Sequence, residues 1–199
     1  MFATGYTKID NDILTYEIPT ASQVNLQTER TILIAVDESL TAQFAFRYAI
    51  DNVIRPTDQI CIANVMPTNS PPPLESLDAG AMFIDTGYLD KQQVYNQHHS
   101  EWLLQQYELL LKGHKVRLFC LIGDNRDEIC RAAVNLKSDL VVLGSRDLSG
   151  VHRMFLGSTS DYCIHNLDCP VFVVKPPESK EITPLLKLGS NDTKLSKSD

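Results

Sequence analysis

The amino-acid sequence predicts an α/β fold, with a five-stranded, mainly parallel sheet and helices on both of its faces. Five short apolar runs, rich in β-branched residues, alternate with segments whose apolar residues recur at helical spacing. Most of each run is apolar at successive positions rather than at alternate ones, which is typical of parallel strands buried on both sides. No pattern repeats at a period of about 20–50 residues, so the chain holds one such unit. The predicted strands are 31–37, 59–65, 115–122, 139–144 and 170–174.

Four helices are predicted between and after these strands. Ser39 is a candidate N-cap for the first, and Pro56 follows its end. Gly113 marks the end of the second, and the third has apolar residues at positions i, i+3, i+4 and i+7 from Ile129. The helices are predicted at 40–54, at 91–112, around 129–136 and at 158–166.

The sequence divides into one domain over 29–176 and two polar extensions. Residues 1–28 have weak periodicity and are predicted to form a loosely ordered arm. Residues 177–199 are rich in Ser, Lys and Asp and are predicted to form a disordered tail. Inside the domain, clustered Pro and Gly residues predict a long irregular loop over 67–89, a length typical of a functional lid or of a disordered segment.

Composition and charge exclude several classes of protein. The chain of 199 residues has a formal net charge of −7, so it lacks the basic surface of a nucleic-acid-binding or membrane-surface protein. It has no apolar run long enough for a transmembrane helix and no secretory signal pattern. The five Cys form no CxxC pair or metal motif, and Cys61 and Cys120 are expected to be buried thiols. We therefore expect a cytoplasmic protein without a metal site.

The candidate site lies where the predicted strands end. In open α/β sheets, ligands bind beyond the carboxyl ends of the strands, at the point where the strand order reverses. Asp37 ends the first predicted strand, Gly144 ends the fourth, and a polar loop leads to Gly157 before the next helix. Ser158 and Asp161 approximate a capping box, and the N–H groups at such a helix start favour an anion.

Simpler interpretations exist for each residue alone. Ser158 can be an ordinary N-cap after a glycine turn, and Asp37 can cap a helix or remain solvated. Together, an acid after strand 1 and a loop of Gly and hydroxyl residues after strand 4 match a nucleotide, with ribose on one side and phosphates on the other. Arg146, His152 and Arg153 add local positive charge. The chain has no P-loop, GxGxxG, EF-hand or GxSxG motif and no nucleophile beside an evident base, so no catalytic residue is assigned.

Several short motifs follow one another along 31–175. They are AVDES at 35–39, Ala45 and Ala49 in the first helix, Gly123-Asp124, DLVVLGSR at 139–146, LGS at 156–158 with Ser160, and CPV at 169–171. In this order they resemble the universal stress protein family over 31–175. The resemblance implies a Rossmann-like sheet of the adenine nucleotide alpha hydrolase-like type, in strand order 3-2-1-4-5, which places strands 1 and 4 side by side.

In the nucleotide-binding branch of that family, ATP lies between strands 1 and 4. By resemblance, Asp37 would hold the ribose. Ala35, Val36 and Val65 would surround the adenine, while the glycine and hydroxyl residues after strand 4 would meet ribose or phosphates. The candidate nucleotide-binding residues are Ala35, Val36, Asp37, Ser39, Val65, Gly144, Arg146, Asp147, Gly157, Ser158, Thr159 and Ser160.

Asp147 departs from the family's glycine loop. That loop reads Gly, two residues, Gly, nine residues, Gly, then Ser or Thr; Gly144, Gly157 and Ser158 match it, and Asp147 replaces the second Gly. A carboxylate ~5 Å from a phosphate, at an effective dielectric constant near 20, costs about 3 kcal/mol, or roughly a hundredfold in affinity. AMP or an adenosine-type ligand is therefore affected less than ATP, which would also require Mg²⁺.

Two functions follow from these features. One is a stress-response or regulatory protein that binds ATP or AMP and hydrolyses ATP slowly at most. The other is an interaction module of the same fold that binds no nucleotide and acts by dimerising. A phosphoacceptor receiver domain is disfavoured, because DLVVLG ends in Gly144 where the acceptor Asp would stand.

The last predicted strand suggests a homodimer. Val171, Phe172, Val173 and Val174 form an apolar strand expected at a sheet edge, and such edges are usually paired or covered. We expect pairing of two copies through this edge, with two-fold symmetry. The alternative is that residues 1–28 fold back and cover it.

Overall fold

Strands and helices alternate along the chain in a computed structural model that describes residues 7–8, 16–18, 30–68, 86–145, 157–177 and 182–186. The strands are β1 (Thr7–Lys8), β2 (Tyr16–Ile18), β3 (Thr31–Ala35), β4 (Gln59–Met66), β5 (Lys115–Ile122), β6 (Leu140–Gly144) and β7 (Val171–Val174). The helices are α1 (Leu40–Asn52), α2 (Thr86–Glu108), α3 (Asn125–Asn135) and α4 (Ser158–Asn166).

One sheet contains all of these strands, in the order β1-β2-β5-β4-β3-β6-β7. Within the run β5-β4-β3-β6-β7, each strand is parallel to the next. Numbered along the chain, these five strands stand in the order 3-2-1-4-5, so the predicted fold class is confirmed. β7 lies at one end of the sheet, as expected for the last strand.

The central strand β3 contributes side chains to both faces of the sheet. Ile32 and Ile34 belong to an apolar cluster that includes Phe46 of α1, and α2 packs on the same side. Leu33, between them, belongs to the opposite cluster, which includes Ile129 of α3. All three β3 side chains are almost fully buried. Alternate residues of a strand face opposite sides of the sheet. A strand covered by helices on both faces is therefore expected to be apolar at successive positions.

Two short strands lie within the predicted N-terminal arm. β2 pairs antiparallel with β5, with Tyr16 opposite Cys120 and Ile18 opposite Leu118, and β1 pairs with β2. The sequence predicted no strand in 1–28, because strands of two and three residues are too short to show a period. The alternative that this arm covers the Val171–Val174 edge is wrong for the described strands. β1 and β2 extend the sheet at the end of the strand order opposite to β7.

The prediction of disorder over 177–199 is wrong for 182–186. Leu186 is 6% exposed and joins the apolar cluster between the sheet and α1, and Leu185 packs against the same cluster. The backbone N–H groups of Leu185 and Leu186 both donate to Gln43 Oε1 of α1, at 2.8 and 3.2 Å respectively. Two adjacent leucines provide enough apolar surface to anchor a segment whose average composition is polar.

The helix predicted at 91–112 starts earlier and ends earlier, at Thr86–Glu108. Its first residues therefore occupy the end of the predicted 67–89 loop, of which 69–85 lie outside the described residues. α2 is the longest helix in the described part of the chain, yet no helix there combines the length and the apolar character needed to cross a lipid bilayer.

A buried ion pair joins the amino ends of β3 and β4. The Arg30 Nε and NH2 groups donate to the two Asp58 carboxylate oxygens at 2.9 and 2.6 Å, and the Arg55 N–H donates to the same carboxylate at 2.7 Å. The Asp58 side chain is fully buried, while that of Arg30 is 27% exposed. Burial acts to raise the Asp58 pKa, but these hydrogen bonds and the two arginine charges outweigh burial and hold the pKa below its ordinary value.

Candidate functional site

A cavity of about 250 Å³ lies at the carboxyl ends of β3 and β6. From β3 the chain continues into α1 on one face of the sheet, whereas α4, the next described helix after β6, lies on the other face. The strand order reverses between β3 and β6, so the cavity occupies the switch point at which open α/β sheets bind ligands.

Three side chains, two of them buried and that of Asn64 half-buried, hold the backbone that leaves β3 at the cavity. Asn64 Nδ2 of β4 donates to the Val36 carbonyl at 2.8 Å, and the Tyr107 hydroxyl of α2 donates to the Asp37 carbonyl at 2.9 Å. Gln43 Nε2 of α1 donates to the Glu38 carbonyl at 3.0 Å. Three successive carbonyls are therefore each held by a different element, which fixes the direction in which Asp37 presents its carboxylate.

Two of these donors are themselves fixed by their surroundings. Ser100 Oγ, 1% exposed on α2, donates to Asn64 Oδ1 at 2.7 Å, so the Asn64 amide has a defined orientation. Burial raises the pKa of the Tyr107 hydroxyl, and the nearby charges of Asp37 and Glu38 raise it further. Tyr107 therefore remains protonated and keeps donating to the Asp37 carbonyl throughout the physiological range of pH.

The Asp37 carboxylate is partly exposed at one wall of the cavity. Its Oδ1 accepts a hydrogen bond from the Ser39 N–H at 2.8 Å. Ser39 is the N-cap of α1, as predicted, because its Oγ accepts a hydrogen bond from the Ala42 N–H at 3.2 Å. The carboxylate is thus held at the start of α1, beside the cavity.

The start of α4 forms the opposite wall, but it differs from the predicted capping box. Gly157, not Ser158, is the N-cap, and no side chain caps the helix within the described residues. The hydroxyl of Ser160 donates to the Gly157 carbonyl at 2.9 Å. Because the first N–H groups of a helix have no intrahelical acceptor, the first turn of α4 presents backbone donors and the positive end of its dipole at the cavity.

Gly144 occupies a position where β6 closely approaches α1. A Cβ atom there would lie 3.0 Å from the Thr41 carbonyl oxygen and 3.2 Å from the Ala42 Cα. These are backbone atoms, which cannot rotate away as a flexible side chain can. Packing against α1 is therefore a sufficient reason for glycine at this position.

A model of the universal stress protein family matches residues 29–175 of the chain. The chain belongs to the universal stress protein family. It is 32% identical over 167 residues to universal stress protein PHOS34 of Arabidopsis thaliana, which covers 76% of this chain and 64% of that protein. It is 29% identical to universal stress protein Sll1388 of Synechocystis over 152 residues, which covers 72% of this chain and 96% of that protein.

Solved structures of universal stress proteins have the same fold. UspA of Lactobacillus plantarum superposes with a TM-score of 0.58 at 21% identity, over 76% of this chain and 99% of that chain. A universal stress protein family protein of Arabidopsis thaliana, solved with AMP bound, superposes with a TM-score of 0.54 at 21% identity, over 75% and 94% of the two chains.

The universal stress protein domain brings together every predicted site residue that the structure describes. Arg146 and Asp147, like His152 and Arg153, lie outside the described residues. The predicted site residues that line the cavity are Ala35, Val36, Asp37, Ser39, Val65, Gly144, Gly157, Ser158, Thr159 and Ser160.

The universal stress protein domain also places further residues at the cavity that the sequence did not predict. Asn64 is the most informative of them, because a polar residue inside an otherwise apolar strand signals a specific hydrogen-bonding role. The small and apolar residues gave no signal that distinguishes them from core positions. The added residues are Thr41, Ala42, Ala63, Asn64, Asn125, Ile129 and Leu143.

The walls of the cavity differ in chemistry. Small and apolar residues line its floor, a carboxylate lies at one wall, and a helix N-terminus with hydroxyl residues lies at the other. Among the described residues, no group of three or more His, Cys, Asp or Glu side chains is placed to hold a metal ion. The universal stress protein domain therefore provides a site suited to a ligand with an apolar ring, hydroxyl donors and an anionic group.

Proposed function

We propose that this chain is a stress-response or regulatory protein that binds an adenine nucleotide in the cavity between β3 and β6, with AMP bound more tightly than ATP. The observation that carries the proposal is the arrangement of the two polar walls. The Asp37 carboxylate and the start of α4 line one cavity at the switch point of the sheet. A carboxylate accepts hydrogen bonds from ribose hydroxyls, and a helix N-terminus favours a phosphate.

The apolar residues between these walls complete the match to a nucleotide. Ala35, Val36 and Val65 provide contacts for a flat purine ring, as the resemblance to the family implies. Support also comes from the Arabidopsis thaliana family member solved with AMP bound. In this proposal Arg146 attracts the phosphate, and the Asp147 carboxylate opposes a longer phosphate chain, so that ATP would need Mg²⁺ to offset the added charge.

A calorimetric titration with AMP, adenosine and ATP, with and without Mg²⁺, tests the proposal. Asp37→Ala is expected to weaken AMP binding by roughly 10- to 100-fold, the effect of losing hydrogen bonds to a charged group. Asp51→Ala, at an exposed position of α1, is the matched control and is expected to bind AMP as the native chain does. Absence of binding by the native chain to all three ligands would overturn the proposal.

A second variant tests the preference between nucleotides. Asp147→Gly removes one negative charge and one Cβ from the loop after β6. It is expected to raise ATP affinity by up to roughly a hundredfold while changing adenosine affinity little. Equal effects on ATP and adenosine would show that Asp147 does not act through phosphate repulsion.

The exposed edge of the sheet favours a second function, as a dimeric interaction module. β7 pairs with β6 on one side, and no described strand lies on its other side. The Pro170 and Val174 carbonyls accept hydrogen bonds from β6 and from Ser145. Because the backbone groups alternate in direction along a strand, those of Val171 and Val173 point toward the open edge. We propose that two copies pair through these groups.

Val173→Pro is expected to convert the proposed dimer into a monomer. Proline at this position removes an outward N–H group, while the hydrogen bonds between β7 and β6 remain. Light scattering at micromolar concentration gives the mass of the native chain and of the variant. Ile164→Asp, at an exposed position of α4, is the control and should leave the mass unchanged. A native chain of monomer mass would count against pairing through β7.

A further inference from the structure

The segment 182–186 is docked against α1, the helix that begins at the candidate site, although it lies beyond the family domain. The universal stress protein match ends at residue 175, so this segment belongs to an extension of the domain. The side chain of Leu186 is buried against the core on the α1 side of the sheet. Its N–H group and that of Leu185 donate to Gln43 Oε1 at 3.2 and 2.8 Å.

Gln43 connects this docked segment to the backbone at the cavity. It is 1% exposed, and its Nε2 donates to the Glu38 carbonyl at 3.0 Å. The two ends of the amide therefore have different obligatory partners, with two N–H donors on the oxygen side and a carbonyl on the nitrogen side. This pattern fixes the orientation of the amide, because a flipped amide would face donor to donor.

Loss of either contact removes part of what holds the Gln43 amide in one orientation. If 182–186 undocks, Gln43 Oε1 loses both of its protein donors, and the side chain is then free to rotate. A rotated Gln43 no longer holds the Glu38 carbonyl, and Glu38 lies between Asp37 and the N-cap Ser39. Docking of the segment is thus linked through one side chain to the order of residues 37–39.

We propose that Gln43 is a positioning residue that couples docking of 182–186 to ligand binding in the cavity. The nucleotide part of this inference rests on the proposed function. The docked segment and a ligand held by Asp37 both order the same three residues. Whichever binds first reduces the conformational entropy that the second must remove, so the two events reinforce one another. Linkage requires the effect to be equal in both directions.

Hydrogen exchange on the ligand-free full chain tests the coupling without any nucleotide. Leu186→Asp places a charge in an apolar site and is expected to undock the segment. Exchange of the backbone amides over 38–43 should then accelerate by roughly tenfold, as for a local opening made easier by about 1.4 kcal/mol. Thr183→Ala, at an exposed position of the same segment, is the control and should not change it. Faster exchange at 185–186 with unchanged exchange at 38–43 would overturn the proposal.

Gln43→Leu provides a second variant that keeps the side-chain volume and removes both hydrogen bonds. It is expected to accelerate exchange at 38–40 and at 185–186 together, whereas a purely local role would affect one of them. This variant decides the question if Leu186→Asp fails to fold. Unchanged exchange at both segments in Gln43→Leu would overturn the link.

Titration with AMP tests the nucleotide part. AMP is expected to slow amide exchange at 185–186 by roughly fivefold or more. Leu186→Asp is expected to weaken AMP binding by the same factor as that slowing, because the coupling is equal in both directions. If AMP binds but neither effect is seen, the coupling is overturned while the proposed function stands. If AMP does not bind and exchange at 38–43 still responds to Leu186→Asp, the proposed function is overturned while the Gln43 link stands.

Discussion

Asp58→Ala is expected to lower the free energy of unfolding by about 3 kcal/mol. Removing one partner of a buried ion pair costs about 3–5 kcal/mol, because the remaining charge has lost its compensation. The lower value applies here, since the Arg30 side chain is 27% exposed and can be partly rehydrated. The variant also removes the acceptor of the Arg55 N–H group. Urea denaturation at neutral pH measures the difference.

The effect of Asp58→Ala should depend on pH in a defined direction. The folded-state pKa of Asp58 lies below its ordinary value, so the stabilisation is complete above the ordinary Asp pKa of about 3.9. It is lost as the pH falls through the folded-state pKa. The difference between native chain and variant is therefore expected to be constant near neutral pH and to shrink in acid. A difference that grows in acid would contradict this assignment.

Two further variants show whether the loss of stability comes from the ion pair itself or from any substitution in this part of the chain. Asp51→Ala, at an exposed position, should change the unfolding free energy by less than about 0.5 kcal/mol. Replacing both partners, as Arg30→Met with Asp58→Leu, should cost less than Asp58→Ala alone, because neither charge is then left unpaired. An Asp58→Ala chain as stable as the native chain would show that the ion pair contributes nothing to the free energy of unfolding.

Gly144→Val is expected to lower the free energy of unfolding by about 3 kcal/mol, at the upper end of the cost of overpacking. The added Cβ would lie 3.0 Å from the Thr41 carbonyl oxygen, so the start of α1 must move away from β6. Gly144 also lines the cavity, and α1 begins beside Asp37 and Ser39. The same displacement is therefore expected to weaken AMP binding.

Gly144→Ala provides a graded comparison for this prediction. It adds the Cβ without the two methyl groups and is expected to cost about 1–2 kcal/mol. Thermal and urea unfolding measure stability, and AMP titration measures the site. A Gly144→Val chain as stable as the native chain would show that α1 and β6 have more room than these distances allow. Normal stability with lost AMP binding would instead assign Gly144 to contact with the ligand.

The parallel core could be predicted because its strands carry their own signal. Runs such as 32–36 and 118–122 are apolar at successive positions, and burial on both faces favours that pattern. The motif residues after β3 and β6 could be assigned to one site, because the strand order places those two ends together. The predicted strand and helix ends differ by a few residues, as in the Thr86 start of α2, since local sequence determines ends weakly.

The features that the sequence did not predict depend on contacts distant in the chain. β2 is three residues long, and only its pairing with β5 makes it a strand. Leu186 is ordered by Gln43, which lies 143 positions earlier. The sequence predicted Ser158 as the N-cap of α4, whereas the N-cap is Gly157, which has the extended backbone conformation typical of that position. Asn64, by contrast, could have been singled out as a polar residue in an apolar strand.

The placement of β2 has a consequence for how copies of this chain can assemble. An open sheet with two unprotected edges can add further copies at each side and grow without limit. Here the N-terminal strands extend the sheet past β5 and end at β1, a strand of two residues that carries Lys8. Such a short, charged strand is a poor template for another chain. In the proposed dimer, a two-fold contact would occupy the β7 edge of both copies, so neither copy would offer that edge to a third.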